Sequence, residues 1–165
     1  MLEIKTMISH RENYGDKREK IDWIVMHYTG NDGDTALNNA LYFKNNIVET
    51  SSHYFVDDNN IYQTVEDDYV AYHCGAKTYV HPECRNINSI GIEMCDNIKD
   101  GEMKLTKKTF NNAAELVATL CKEHNIPTSH IIRHYDVTHK LCPAYWIDND
   151  GIELFRNKVE KVLHS

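Results

Sequence analysis

The segment 21–27, with the sequence IDWIVMH, constrains the fold more than any other part of the chain. Successive side chains of a β-strand point to opposite faces, so Trp23 and Val25 lie on one face and Met26 on the other. Both faces of this segment are largely apolar, which is typical of a strand that is covered on both sides. The sequence therefore predicts a sheet with this strand in its interior.

Four more segments have strand patterns, and three have the spacing of amphipathic helices. The predicted strands are 53–57 and 61–65, which flank a short polar turn, 87–94 and 130–134. The predicted helices are 35–46, 106–124 and 152–163. This alternation predicts an α/β fold in which a mixed central sheet is flanked by helices, with one domain spanning residues 1–165.

Composition excludes several classes of partner. The chain has 165 residues, of which 41% are hydrophobic, and this is enough for one compact core. Its net charge of −7 argues against binding to nucleic acid or to an anionic membrane. No apolar run approaches the roughly 18 residues of a membrane span, and the first residues, MLEIKTMISHREN, lack the features of a signal peptide. We therefore expect a protein made in the cytoplasm that binds neither nucleic acid nor membrane.

The five cysteines show no regular spacing. An odd number of cysteines cannot all pair, so reduced thiols are expected, with a bridge between Cys74 and Cys84 as the minor alternative. Cys121 lies on the apolar side of the helix predicted at 106–124, and we assign it to the core.

One short segment, IIRHYDVTHKLCP at 131–143, is crowded with groups that bind metals or carry protons. His134 ends a predicted strand, and Cys142 follows eight positions later, far enough along to fold back toward it. His27 ends the central strand. Two imidazoles and one thiolate suit zinc, and three protein ligands leave the fourth tetrahedral position open, as in a catalytic site. The alternative interpretation is a set of unrelated core and surface residues.

Five segments together resemble the successive motifs of the type-2 N-acetylmuramoyl-L-alanine amidases, a family that includes phage endolysins, autolysins and peptidoglycan recognition proteins. These segments are WIVMHYTGN at 23–31, SSHYFVDD at 51–58, YHCGA at 72–76, NSIGIEM at 88–94 and RHYDVTHKLCP at 133–143. They occur in the family's order, and the resemblance runs from about residue 20 to residue 160. It implies the amidase fold and one zinc ion per chain.

The resemblance also implies roles for five polar residues of these motifs. His27, His134 and Cys142 are the implied zinc ligands. Glu93 is the implied catalytic carboxylate near the metal, and Lys140 matches a catalytic lysine two residues before the third ligand. From the residues alone, Glu93 suits proton transfer and Lys140 suits stabilisation of negative charge. The alternatives are a surface carboxylate and a solvated loop cation.

Two further histidines are assigned to substrate binding. His53 stands where some family members place a tyrosine, so its implied role is either catalytic or substrate-contacting. His73, in YHCGA, belongs to a motif that family members use along the substrate groove. The alternative for His73 is a structural imidazole that is hydrogen-bonded to the backbone.

The implied function is hydrolysis of the amide bond between N-acetylmuramic acid and L-alanine in peptidoglycan. We expect the catalytic domain of a phage or prophage endolysin or of an autolysin, which acts on the cell wall after release and works with or without a separate cell-wall-binding domain. Three alternatives stay open: a non-catalytic peptidoglycan-binding module, a cytoplasmic amidase that recycles muropeptides, and a thiol hydrolase that uses Cys142 as its nucleophile.

Overall fold

The computed structural model describes all 165 residues. The strands are β1 (Ile4–Thr6), β2 (Tyr14–Lys17), β3 (Trp23–Asp32), β4 (Tyr54–Val56), β5 (Ile61–Gln63), β6 (Tyr69–Ala71), β7 (Ser89–Lys99), β8 (Glu102–Lys104) and β9 (Ile131–Arg133). The α-helices are α1 (Ala36–Asn45), α2 (Lys107–His124), α3 (His134–Thr138) and α4 (Gly151–Leu163). None of these helices has the length and apolar character needed to cross a lipid bilayer.

The main sheet is mixed, with the strand order β1-β5-β4-β7-β3-β9. The four neighbouring strands β4, β7, β3 and β9 are parallel to one another. β4 and β5 form an antiparallel hairpin. β8 extends the far end of β7, and β2 pairs with β6 in a separate two-stranded sheet. β3 is an interior strand of this sheet, as predicted, because it is hydrogen-bonded to β7 on one side and to β9 on the other.

Helices cover both faces of the sheet. On one face, even-numbered residues such as Ile24 and Met26 pack against α2 and α4 in the largest apolar cluster. On the opposite face, Trp23 and Val25 pack against Val137 of α3, and a separate cluster holds α1 against β4. Polar residues of the motifs lie on this second face. The predicted fold class is confirmed.

The observed helices begin close to the predicted positions because their caps are encoded locally. The side chain of Thr35 accepts a hydrogen bond from the backbone of Asn38 at the start of α1. Thr106 does the same for Thr109 at the start of α2, which ends at Asn125 in a left-handed conformation. Each hydroxyl satisfies a backbone N–H that the helix itself leaves without a partner.

The predicted strand 130–134 is shorter in the structure, because His130 lies in a 3₁₀ turn and His134 begins α3. The carboxylate of Asp136 accepts a hydrogen bond from the backbone N–H of Arg133 at 2.9 Å, and this cap ends the strand. The change matters for the site because His134 projects from the first turn of a helix. All five cysteines are free thiols, so the minor alternative of a bridge between Cys74 and Cys84 is absent from the structure.

Candidate active site

Three polar side chains meet on one face of three adjacent parallel strands: His27 lies within β3, Glu93 within β7, and His134 directly after β9. In the register of β3 and β7, His27 lies opposite Glu93, so both side chains are on the same face of the sheet. In the register of β3 and β9, Met26 lies opposite Arg133, which places His134 beside His27. Because these strands are adjacent and parallel, residues that are far apart in sequence converge at this level of the sheet.

Cys142 is brought to the same place by the chain that leaves α3. The helix ends at His139, whose φ of 67° is left-handed and turns the chain back. The backbone N–H of Tyr135 donates to the carbonyl of Cys142 at 3.0 Å, which ties the returning loop to the first turn of α3. The loop therefore closes as the sequence predicts.

His27, His134 and Cys142 form a compact and buried cluster. Their exposed fractions are 2%, 6% and 4%, and their ligand atoms all lie within 4.8 Å of one another. The Sγ of Cys142 is 3.7 Å from Nδ1 of His27, and Nδ1 of His134 is buried with no hydrogen-bond partner. An unpartnered imidazole nitrogen beside a thiol and a second imidazole is a donor set that fits zinc.

The protonation states of this cluster also suit a metal. Burial lowers the pKa of His27 well below its ordinary value, with the charges of His134 and His73 adding to the effect. Burial, followed by the charge of Lys140, lowers the pKa of His134 to about 4. Burial raises the pKa of the Cys142 thiol to about 12, so a free thiolate nucleophile is disfavoured unless a bound cation stabilises it.

Glu93 lies beside the cluster with one carboxylate oxygen, Oε2, buried and without a partner. Burial raises the pKa of this carboxyl to about 8, the positive charge of Lys140 opposes the rise, and Asp34 and Asp96 add to it. A carboxyl whose pKa lies near neutrality exchanges a proton readily at physiological pH. The geometry therefore gives Glu93 the properties of a general acid or base.

A cavity of about 720 Å³ opens over these groups. It is lined by six of the seven residues that the sequence assigns to the site: His27, His73, Glu93, His134, Lys140 and Cys142. Its walls include the aromatic side chains of Tyr28, Tyr42 and Phe43. A second cavity of about 650 Å³ shares Tyr72, His73 and Lys140 with the first, so a groove continues past the cluster on the side of Lys77 and His139.

The structure does not bring His53 to this groove. Its side chain is 0% exposed and does not line either cavity. Its Nδ1 accepts from the backbone N–H of Gly91 at 3.0 Å, so Nε2 carries the proton and donates to the carbonyl of Tyr69 at 2.8 Å. These hydrogen bonds join β6 to β7 through the His53 ring, and we propose that His53 has this structural role in place of the predicted substrate contact.

We expect His53→Ala to lower the free energy of unfolding by about 2–3 kcal/mol, because it leaves the buried N–H of Gly91 without an acceptor and opens a cavity. Urea denaturation of the two proteins measures this difference. The KM of the folded variant should stay close to that of the parent chain. An unchanged stability together with a raised KM would return His53 to the substrate site.

Asp96 contributes to the site, although its sequence context carries no signal for it. Its Oδ1 lies 3.3 Å from the hydroxyl of Thr29, a residue that lines the cavity, and its Oδ2 is buried without a hydrogen-bond partner. Burial, with the charge of Asp34, raises its pKa to about 6. The residues of β7 that follow Cys95 are mostly polar, so the apolar alternation that predicts this strand stops short of Asp96.

Two histidines and a cysteine that converge on one point, with a carboxyl group and a lysine at the same cavity, define a candidate metal-dependent hydrolase. The sequence profile of the N-acetylmuramoyl-L-alanine amidases matches residues 17–145. The chain belongs to this family, the type-2 N-acetylmuramoyl-L-alanine amidases, and the resemblance found in the sequence is confirmed.

Individual relatives agree with this assignment. The chain is 41% identical over 160 residues to the N-acetylmuramoyl-L-alanine amidase CwlL of Bacillus licheniformis, and the match covers 90% of this chain and 43% of that protein. A mutant endolysin from Bacillus subtilis has a similar structure, with a TM-score of 0.82 at 30% identity over 96% of this chain and 99% of that one. The catalytic domain of XlyA gives 0.80 at 29% identity, with the same coverage.

The chain spans less than half the length of the curated relatives that it matches most strongly. It corresponds instead to nearly the whole of the solved endolysin and of the XlyA catalytic domain. The chain therefore corresponds to the part of its relatives that has this fold.

Proposed function

We propose that this protein is a zinc-dependent N-acetylmuramoyl-L-alanine amidase that hydrolyses the bond between N-acetylmuramic acid and L-alanine in bacterial peptidoglycan. The observation that carries the proposal is the convergence of His27, His134 and Cys142 on one point beside Glu93, in a chain of the amidase family. The likeness to an endolysin supports action on the cell wall after release from the cytoplasm. One zinc ion per chain is the proposed cofactor.

The three proposed ligands leave the remaining chemistry to the residues around them. When bound, zinc in such a site supplies a Lewis acid that activates water at neutral pH and polarises an amide carbonyl. The carboxyl of Glu93 lines the cavity and, in its ionised form, can accept a proton from the attacking water. The same carboxyl then delivers a proton to the amine of the departing L-alanine.

Lys140 supplies a positive charge at the same cavity. Burial is the main cause of the shifted pKa values of Glu93, His27 and His134; the charge of Lys140 opposes the rise in the pKa of Glu93 and adds to the fall in the pKa values of both histidines. A cation near the proposed metal is repelled by it at rest. It becomes favourable when negative charge develops on the carbonyl oxygen of the substrate, so its proposed role is stabilisation of the transition state.

Lys140→Met is expected to lower kcat by about a hundredfold, the scale for removing one group that stabilises a developing oxyanion. Zinc content and KM should change little, since the interaction is made mainly in the transition state. Steady-state kinetics on soluble muropeptides separates the two constants, and Lys161→Met, on the exposed end of α4, is the matched control. A rise in KM alone would make Lys140 a substrate-binding residue.

Product analysis tests the proposed reaction directly. Purified peptidoglycan incubated with the zinc-loaded protein should release new amino-terminal L-alanine without new reducing sugar ends. New reducing ends would indicate a glycosidase, and new amino termini of other residues would indicate a peptidase. Binding to the wall without any new end group would favour a non-catalytic peptidoglycan-binding module, an alternative that the complete ligand set disfavours.

The choice of wall or fragment as substrate is tested in the same assay. We expect intact peptidoglycan to be cleaved, as is required of an endolysin or autolysin. Cleavage confined to soluble muropeptides would instead favour the cytoplasmic recycling amidase.

A further inference from the structure

The imidazole of His73 is hydrogen-bonded to one of the proposed zinc ligands. Nδ1 of His73 lies 2.9 Å from Nε2 of His27, while Nδ1 of His27 faces the Sγ of Cys142. We propose that His73 is a positioning residue that fixes the tautomer and the ring orientation of His27 for metal binding, and that Ser89 sets the direction of the hydrogen bonds between them. This inference rests on the proposed zinc site, but it assigns His73 a role other than substrate binding.

The directions of the hydrogen bonds that link Ser89, His73 and His27 follow from the acceptor of the Ser89 hydroxyl. The hydroxyl of Ser89 lies 2.7 Å from the backbone carbonyl of Arg85, which can only accept, so the hydroxyl hydrogen is donated there. The Oγ of Ser89 is then free to accept from Nε2 of His73 at 3.0 Å. The thiol of Cys74, 4.0 Å from the same Oγ, is too distant to compete with the carbonyl.

The tautomers of both rings follow in turn. A neutral His73 with its hydrogen on Nε2 has a lone pair on Nδ1, which accepts from Nε2–H of His27. His27 is then left with a lone pair on Nδ1, the nitrogen nearest to Cys142. A neutral His27 of the other tautomer would direct a hydrogen toward the metal position, where a lone pair is needed.

Packing holds the His73 ring in this position independently of any substrate. A Cβ atom at Gly91 would lie 2.6 Å from Cγ of His73, so the ring occupies the space that a side chain at this position would fill. The backbone N–H of His73 is anchored by the side chain of Asn86 at 3.1 Å. The planes of the His27 and His73 rings are nearly perpendicular, at 84°. These contacts fix the acceptor before a ligand arrives.

A hydrogen-bond acceptor on the second nitrogen orients a ligating imidazole and makes it more basic, and losing such a partner typically costs about 10–100-fold in metal affinity. The usual partner is a carboxylate or a carbonyl. A neutral imidazole in this position adds no negative charge. The site therefore keeps the net positive charge of a zinc ion bound by one thiolate and two neutral histidines.

Two substitutions at His73 separate the effect of the hydrogen bond on zinc affinity from the effect of the shape of the ring. His73→Phe keeps an aromatic ring but removes the acceptor, and His73→Asn places a carbonyl oxygen near the position of Nδ1. Zinc dissociation constants are measured by competition with a chromophoric chelator at one pH. We expect affinity to fall about 10–100-fold in His73→Phe and to recover largely in His73→Asn. His164→Phe, at an exposed histidine near the carboxyl end, is the control that should match the parent chain.

Gly91→Ala tests the same inference without altering any hydrogen-bonding group. The added methyl group must displace the His73 ring, so zinc affinity should again fall. A spectroscopic measurement on the parent chain needs no substitution at all. Long-range ¹H–¹⁵N correlation of the zinc-loaded protein should show His27 with its hydrogen on Nε2 and the metal on Nδ1, and His73 with its hydrogen on Nε2.

The outcomes distinguish this inference from the proposed function. If the parent chain does not bind zinc, the proposed function fails and the inference fails with it. If the parent chain binds zinc and His73→Phe binds it equally well, only the inference is overturned. A raised KM at unchanged zinc affinity would overturn it as well, because His73 would then be a substrate contact. The opposite tautomer of His27 in the spectrum would also contradict it.

Discussion

Cys142→Ser is expected to abolish zinc binding and amidase activity together. A neutral hydroxyl is a far poorer zinc donor than a thiolate, and the remaining pair, His27 and His134, is too few for a stable structural or catalytic zinc site. We expect activity to fall at least about a thousandfold, because loss of the metal removes both the activated water and the Lewis acid. Zinc content by elemental analysis and turnover on purified walls measure the two effects.

The matched control is Cys121→Ser, since Cys121 is a buried thiol in α2 on the opposite face of the sheet. It should lose stability and keep both zinc and the activity of the folded fraction. Loss of activity with full retention of zinc in Cys142→Ser would contradict the assignment. That result would favour the thiol-hydrolase alternative, in which Cys142 is the nucleophile.

Glu93→Gln is expected to keep zinc and to lose at least about a hundredfold in kcat, the usual scale for a positioned general acid or base. The amide has nearly the shape of the carboxyl, so the packing around residue 93 of β7 is preserved. It cannot accept and return the proton that the reaction moves. Zinc affinity and kinetics on muropeptides, measured on the same preparation, test both parts of this expectation.

Glu153→Gln, on the exposed side of α4, controls for the change in net charge. Near-parental rates in Glu93→Gln across the pH range would show that the carboxyl does not transfer the proton. Loss of zinc in Glu93→Gln would contradict the expectation that this variant keeps the metal. It would make Glu93 part of the metal site.

The central part of the fold was predictable from the sequence because its periodicity is strong. The core of β3, the alternation of Ile90 and Ile92 in β7, and the helices α2 and α4 all bury residues at the spacing that their patterns require. The short strands β1, β2, β6 and β8 were not predicted. They have only three or four residues, too few to show a period, and their pairing is decided by neighbours distant in sequence.

The candidate site was predictable in its residue types, but the burial of each residue was not. The motifs identify residue types, and the register of adjacent parallel strands brings His27, Glu93 and His134 together. The motifs carry no information on burial, so the sequence could not show that His53 is enclosed between strands. The hydrogen bond between His27 and His73 depends on the bend that follows β6, which no pattern in the sequence specifies.

The most direct test of the account is to follow zinc content and amidase activity in one protein sample through chelation and restoration. We expect about one zinc per chain in the active protein, three of whose ligands are His27, His134 and Cys142. Activity should fall in proportion to the zinc removed and return when one equivalent is added. Full activity in protein that holds almost no zinc or other divalent metal would contradict the account.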